Sequence, residues 1–356
     1  MSKIEQYIKG GLEQSLYTAA CISILHGEDV VLKKAFGLLD PRISENKTQI
    51  NSLFDLASLT KIFIATAFMK LVESSAVDLD DPLVKMIPSF CGDTKNEVTF
   101  RHLLSHSSGL PPTVDLYANH EWDKGKDYVI NKMISEKLVY QPGTMVVYSD
   151  IGYIILGHAM EVMTGKRLDQ VLNDALLDPL NWKDVYYKPG IGDSKRIAVT
   201  AYTRENRGIL RPGVVHDGKA IALDGGIAGH AGLFGTVEAV SKLGEMFFRG
   251  TILREQTLSE MIRVQACYNN LRRGLGWQLY SPGGDDVSGA LSETSYGHNG
   301  FTGTSLWVDP GNRLVITFLA NNVFFYNSKS DSEKFKDFRA GLHKIIVNET
   351  KKQLNR

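Results

Sequence analysis

The stretch "DLASLTKIF", residues 55–63, places a serine three positions ahead of a lysine, where an irregular polar segment gives way to an apolar run. From Leu59 to about Ser74, "LTKIFIATAFMKLVES" sets Ile62, Ala65, Met69 and Val72 at helical spacing, which predicts a long buried helix starting beside Ser58. Two readings of Ser58 follow. As a helix cap, its hydroxyl satisfies a backbone N–H of the first turn. As a nucleophile, it needs a base within hydrogen-bond reach, and Lys61 shares its face of the turn. The apolar run behind Lys61 desolvates its amine, which lowers a lysine pKa and favours use as a base. The helix N-terminus adds backbone N–H groups that favour negative charge at an attacked carbonyl.

Outward from this stretch, residues 2–13 form an amphipathic helical pattern, and "AACISILHGEDVVLKKAFGLLD" (19–40) reads as two strands around the turn His26-Gly27-Glu28-Asp29. The middle, about 75–265, alternates loops with helical stretches such as "FRHLLSHS", "KDYVINKMISEKL" and "TVEAVSKLGEMFFRG", with few strand patterns. The last third returns to extended patterns in "GLGWQL", "TSLWVDP" and "LVITFLA", then a polar helix from about Ser332 to Lys352. The expectation is an α/β (α+β) chain: one sheet domain from residues 1–74 and 266–356, with a mostly helical insertion at 75–265.

A chain of 356 residues can bury a core without disulfides or metals. Acidic and basic residues balance at 40 each, so no net field draws it to nucleic acid or an anionic membrane, and a small, weakly charged partner is expected. Cys21, Cys91 and Cys267 are far apart and outside any C-x-x-C pair, which predicts buried, unreactive thiols. With no leader pattern and no apolar run long enough to span a bilayer, a soluble cytoplasmic protein is expected. No P-loop, strand-linked G-x-G-x-x-G or G-x-S-x-G occurs, so no cofactor and no α/β-hydrolase elbow are indicated. His102 and His106 lie four apart but lack the glutamate of H-E-x-x-H and a third ligand, so a structural role is expected and no metal. His216, Asp217 and His230, in or beside a glycine-rich loop, have two readings, lining the pocket mouth or bracing the loop; bracing is the commoner role and the one expected.

Two more elements carry chemistry. "QPGTMVVYSDIGYIILG" (141–157) puts Tyr148-Ser149-Asp150 on the entry to an apolar helix. Asp150 can cap that helix, and a tyrosine held near a lysine can act as general base or proton relay. "YGHNGFTGTSLWVDP" (296–310) puts His298-Asn299-Gly300 before a strand; Gly300 and Gly303 let backbone approach a ligand that His298 or Asn299 can hold by hydrogen bonds.

Together the three elements resemble the serine penicillin-recognising family, with its S-x-x-K, middle and K-T-G motifs. The likeness is to the branch of class C β-lactamases, D-alanyl-D-alanine peptidases and esterases, whose middle element is Tyr-x-Asn; "RHLLSHSSGLP" and "AGHAGLFGT" also match in order, so it covers about residues 15–325. The resemblance implies a β-lactamase/transpeptidase-like fold, its central antiparallel sheet flanked by helices and its active site between sheet domain and insertion. It makes Ser58 the acyl-accepting nucleophile, Lys61 its helper and Tyr148 the relay. Backbone N–H groups of Ser58 and Phe301 form the oxyanion hole, and His298, Asn299, Gly300 and Asp150 lie on the substrate side.

Two departures matter. His298 stands where the family has lysine, and an imidazole is mostly neutral near pH 7, a weaker holder of a substrate carboxylate. Asp150 replaces asparagine and cannot donate a hydrogen bond when ionised. It orients Lys61, meets a substrate amine or caps its helix, the last two being favoured. The expected activity is serine hydrolysis of a small-molecule or peptide-like ester or amide through an acyl-enzyme, of esterase, D-amino-acid peptidase or muropeptide amidase type, with at most weak β-lactamase activity. The alternatives are a non-hydrolytic penicillin-binding or sensor protein, or a true class C-like β-lactamase. The residues set no oligomeric state.

Overall fold

A computed structural model describes residues 3–116, 118–200, 211–282, 287–325 and 329–354. The chain opens with α1 (Lys3–Glu13) and the hairpin β1 (Ala19–His26) and β2 (Asp29–Gly37). Short β3 (Phe54–Asp55) leads through a 3-10 turn, Ala57–Leu59, into α2 (Thr60–Glu73). Then come α3 (Phe100–Leu104), α4 (Lys126–Ser135), α5 (Asp150–Thr164) and α6 (Leu168–Leu172). Next are β4 (Val185–Tyr187), α7 (Gly218–Ala222), β5 (Leu233–Gly235), α8 (Val237–Arg249) and α9 (Glu255–Ile262). The chain returns through β6 (Ala266–Tyr268), β7 (Leu271–Arg273), β8 (Gln278–Leu279), β9 (Tyr296–Asn299), β10 (Ser305–Asp309) and β11 (Leu314–Ala320), and closes with α10 (Lys329–Leu354).

Eight strands form one sheet in the order β2-β1-β11-β10-β9-β8-β7-β6, every pairing antiparallel. The sheet is thus built from both ends of the chain, β1 lying against β11 with Ala20 opposite Ala320 and His26 opposite Leu314. Alternation along the strands sorts side chains into two cores. Ala20, Ile22, Ile24, Trp307, Ile316 and Phe318 face α1 and α10, while Ala19, Cys21, Leu25, Leu306, Val308 and Val315 face the larger core with α2, α5 and α8.

α2 is apolar all round and buried from Thr60 to Met69, as a helix enclosed by others must be. α8 is amphipathic instead and lies on the sheet through Gly244, where an added Cβ would come within 2.7 Å of Val315 and 2.8 Å of Leu306. α8 therefore packs on β1, β10 and β11 although it falls inside the stretch 75–265 expected to be the insertion. That stretch also contributes β4 and β5, which join β3 in a second, three-stranded sheet; three-residue strands are too short to show alternation in sequence. Of the cysteines, Cys21 is buried, its thiol pushed up to about 12 by desolvation, but Cys91 and Cys267 are exposed, correcting the expectation for those two. Among the described residues no helix is long and apolar enough to cross a membrane.

Candidate active site

The approach to Ser58 is bent sharply. Ala57 has φ 45°, a left-handed conformation costly for a residue with a Cβ. Asp55 holds the bend: buried, it accepts hydrogen bonds from the backbone N–H of Ala57 at 2.9 Å and of His216 at 2.8 Å. Burial nevertheless pushes the Asp55 carboxyl up to about 6. Ser58 then lies in the 3-10 turn before α2, half-buried and facing a cavity of about 790 Å³. It does not cap the helix: the N-cap position is Leu59, and no side chain bonds the first turn. The Ser58 Oγ instead accepts a hydrogen bond from Lys61 Nζ at 3.0 Å.

Lys61 is fully buried, and its Nζ also donates to Asp150 Oδ1 at 2.9 Å and to the His230 carbonyl at 3.0 Å. Three donors meeting three acceptors describe an ammonium. Burial alone would lower its pKa, but the charges of Asp150 and Tyr148 outweigh that, and the net shift is upward. The expected lowering by the apolar run is thereby corrected. Asp150 is not a cap either. Ser149 caps α5, its Oγ accepting from the Gly152 N–H at 3.2 Å, and Asp150 stands in the first turn with its carboxylate turned to Lys61. Of the three readings of Asp150, the least favoured, orienting Lys61, is the one observed.

Tyr148 is hemmed by rings and cations. Lys61 Nζ lies 4.9 Å and the Arg273 guanidinium 5.5 Å from its ring centroid, within cation–π range. The His106 and His298 rings stand 4.5 Å and 5.9 Å away. Both imidazoles are pushed well below their ordinary range by burial and by the Arg273 and Lys61 charges, so both are neutral. Their tautomers follow from their partners. His106 Nδ1 accepts from the Ser149 N–H at 3.1 Å, so its proton is on Nε2; His298 Nδ1 meets the Asn299 carbonyl at 2.8 Å, so its Nε2 carries a lone pair. A neutral His298 offers no charge to a carboxylate. Asn299 lines the cleft, and its Oδ1 accepts from the Trp307 indole at 3.1 Å.

The turn after β9 is laced to the end of β3 and the bend before Ser58. Thr302 Oγ1 donates to the Asp55 carbonyl at 2.6 Å and Thr304 Oγ1 to the Leu56 carbonyl at 3.0 Å. Gly300 lies so close that an added Cβ would fall 2.6 Å from the Leu56 oxygen. Phe301, 55% exposed, stacks on His216 at the cleft rim with ring centroids 5.7 Å apart.

The structure also gathers residues that the motifs do not contain. Lys219 bridges Asp150 Oδ2 at 3.5 Å and Asp217 Oδ2 at 3.3 Å, and His230 Nε2 meets Asp217 Oδ1 at 3.0 Å. Asp217 does brace its loop as expected, capping α7, but it also lines the cleft, as do His216, Lys219 and Arg273. Asp150, Asp217 and His230 have metal-like spacing, yet the ammonium groups of Lys61 and Lys219 already neutralise both carboxylates. His102 is structural: its Nδ1 accepts the Thr99 N–H in a capping box on α3.

The sequence matches the family Beta-lactamase over residues 4–333, and the chain belongs to that family of hydrolases. It is 30% identical over 346 residues to a protein of Escherichia coli (strain K12) named "Putative D-alanyl-D-alanine carboxypeptidase", covering 86% of this chain and 78% of that one. It is 29% identical to the N-acetylmuramyl-L-alanine amidase of Bacillus subtilis (strain 168), covering 90% of this chain and 80% of that one. The fold superposes with TM-score 0.76 on EstCE1, described as a hydrolase with promiscuous acyltransferase activity, at 20% identity over 95% of this chain and 97% of that one.

Proposed function

We propose that this chain is a serine hydrolase that cleaves an ester or amide through an acyl-enzyme on Ser58. The observation that carries the reading is the 3.0 Å contact between Ser58 Oγ, open to a large cleft, and the fully buried Lys61 ammonium. The resting Lys61 ammonium has no site for another proton, so attack comes from the form in which the Lys61–Tyr148 pair has already lost one: Ser58 Oγ attacks the carbonyl carbon and its proton passes to that pair. The developing oxyanion is assigned to the backbone N–H groups of Ser58 and Phe301, a reading supported by the threonine lacing that ties the turn carrying Phe301 to the residues just before Ser58. Tyr148 returns the proton to the leaving oxygen or nitrogen, and water then releases the acyl group by the same steps in reverse.

The substrate class follows from charge. A neutral His298 gives no ammonium to a carboxylate at the third motif, which favours short-chain esters, D-amino-acid or muropeptide amides over β-lactams. A second reading, a non-hydrolytic binder, draws on the saturated Lys61 ammonium, which is not a free base. Turnover of p-nitrophenyl esters, D-aminoacyl anilides, muropeptides and nitrocefin by the native chain separates the two. Hydrolysis of at least one of the first three, faster than nitrocefin, is expected. No turnover of any supports the binder, and a nitrocefin rate above the others overturns the substrate assignment.

A further inference from the structure

Lys219 lies on α7, outside all three motifs, yet it stands in the cleft wall. Its ammonium sits between two carboxylates, each of which presents its other oxygen elsewhere: Asp150 to Lys61 at 2.9 Å, Asp217 to His230 Nε2 at 3.0 Å. Charge therefore alternates along one wall, from Lys61 to Asp150 to Lys219 to Asp217. We infer that Lys219 is a positioning residue for acylation: by sharing the Asp150 carboxylate with Lys61, it governs how readily the Lys61–Tyr148 pair takes the Ser58 proton. The inference rests on the hydrolase reading above.

Ligand atoms of Asp150 and Asp217 lie within 4.8 Å of each other. Without Lys219, the two carboxylates would be shared only by the Lys61 ammonium and the His230 ring on Asp217, and the pair would hold its proton more tightly. With Lys219 present, Asp150 divides its charge between two cations. The other groups facing the pair do not substitute for it. Asp150 and Tyr153 come from α5, the latter with its ring 5.7 Å from Lys61 Nζ; His106 and His298 are neutral; and Arg273 acts from β7 on the far side of Tyr148. Lys219 itself faces Asp150 and Asp217, with His230 beyond Asp217, and their charges outweigh the burial that would lower its pKa. Lys219 and Asp217 can thus be changed without altering a group that touches Ser58. The sign of the effect is the same whichever of Lys61 and Tyr148 takes the serine proton, because a nearby cation eases the loss of a proton from either.

The test follows the rate at which a fluorophosphonate labels Ser58 as a function of pH. In that step the Ser58 Oγ–phosphorus bond forms, the phosphorus–fluorine bond breaks, fluoride leaves and the serine proton ends on the Lys61–Tyr148 pair. Lys219→Met is expected to move the rising limb about 1 pH unit to the alkaline side, and Lys219→Arg to restore it. Asp217→Asn, which keeps an oxygen for the α7 cap, is expected to move the limb the opposite way, and its direction decides the matter if Lys219→Met does not fold. Limbs that superimpose on the native one, or a uniform loss of rate without a shift, overturn the inference. Absence of labelling in the native chain at every pH defeats the hydrolase reading instead, so the two failures are distinct.

Discussion

Lys61 is shut off from bulk solvent, and its state is set by the groups that surround it. Asp150, 89 residues further along the chain, supplies the counter-charge, and Ser58 and the His230 carbonyl take the remaining protons. The S-x-x-K spacing and the burial of the helix were legible in sequence, because both are local. The direction of the Lys61 shift was not, because it depends on a carboxylate delivered by another helix and on Lys219 behind it. The buried pair also bears on stability. Removing one member of a buried pair is costly when it strands a charge, but Asp150 keeps Lys219 if Lys61 is lost. Lys61→Met is therefore expected to lower ester hydrolysis by roughly 10²–10⁴-fold while changing unfolding free energy by less than about 1 kcal/mol in a urea titration. A loss of several kcal/mol with activity retained would show that the contact is structural.

At the scale of elements, the site is a junction of three pieces: the bend before α2, the entry to α5 and the turn between β9 and β10. Each piece was readable as a motif, because glycines, an aromatic and a helix start leave marks in sequence. What joins them was not. Thr302 and Thr304 reach the carbonyls of Asp55 and Leu56 across about 250 residues of chain, and nothing local distinguishes them from other threonines beside a strand. Asn299 shows the converse: it sits in the motif, yet strand alternation turns its amide to Trp307. Thr304→Val keeps the shape but leaves the buried Leu56 carbonyl without that donor, at a cost of about 1–3 kcal/mol. Because the same bond ties the turn that carries Phe301 to the segment before Ser58, kcat should fall more than KM rises. Unchanged kinetics would mean that the threonine only fastens the turn.

For the whole molecule, the sheet was legible as two separate ends, since alternating apolar residues mark β1, β10 and β11; that α8 closes over it from within the middle stretch required the tertiary structure. Ion pairs set the acid limit. Asp217 is held well below the usual carboxylate range, since His230 and Lys219 overcome the upward push of burial. Arg263, with Arg101, likewise holds Glu260 at about 2. Carboxyls depressed on folding stabilise above their ordinary pKa, and that stability is lost as pH falls through the folded value. Asp55, raised by burial to about 6, works oppositely, costing stability while ionised and regaining it as pH falls from about 6 toward 4. His106 and His298 stay neutral when folded while the unfolded chain's imidazoles take up protons below about pH 6.5, and these two outweigh the gain from Asp55, so the urea midpoint should fall from about pH 6.5 downward and more steeply below about pH 4; a midpoint that holds or rises between pH 7 and about 5 would contradict these assignments. The most direct test of the central claim is the intact mass of the chain after exposure to a fluorophosphonate, with the modified peptide mapped. The account predicts one adduct, on Ser58, lost in Ser58→Ala and greatly slowed in Lys61→Met. An unmodified native chain, or an adduct that persists in Ser58→Ala, would contradict it.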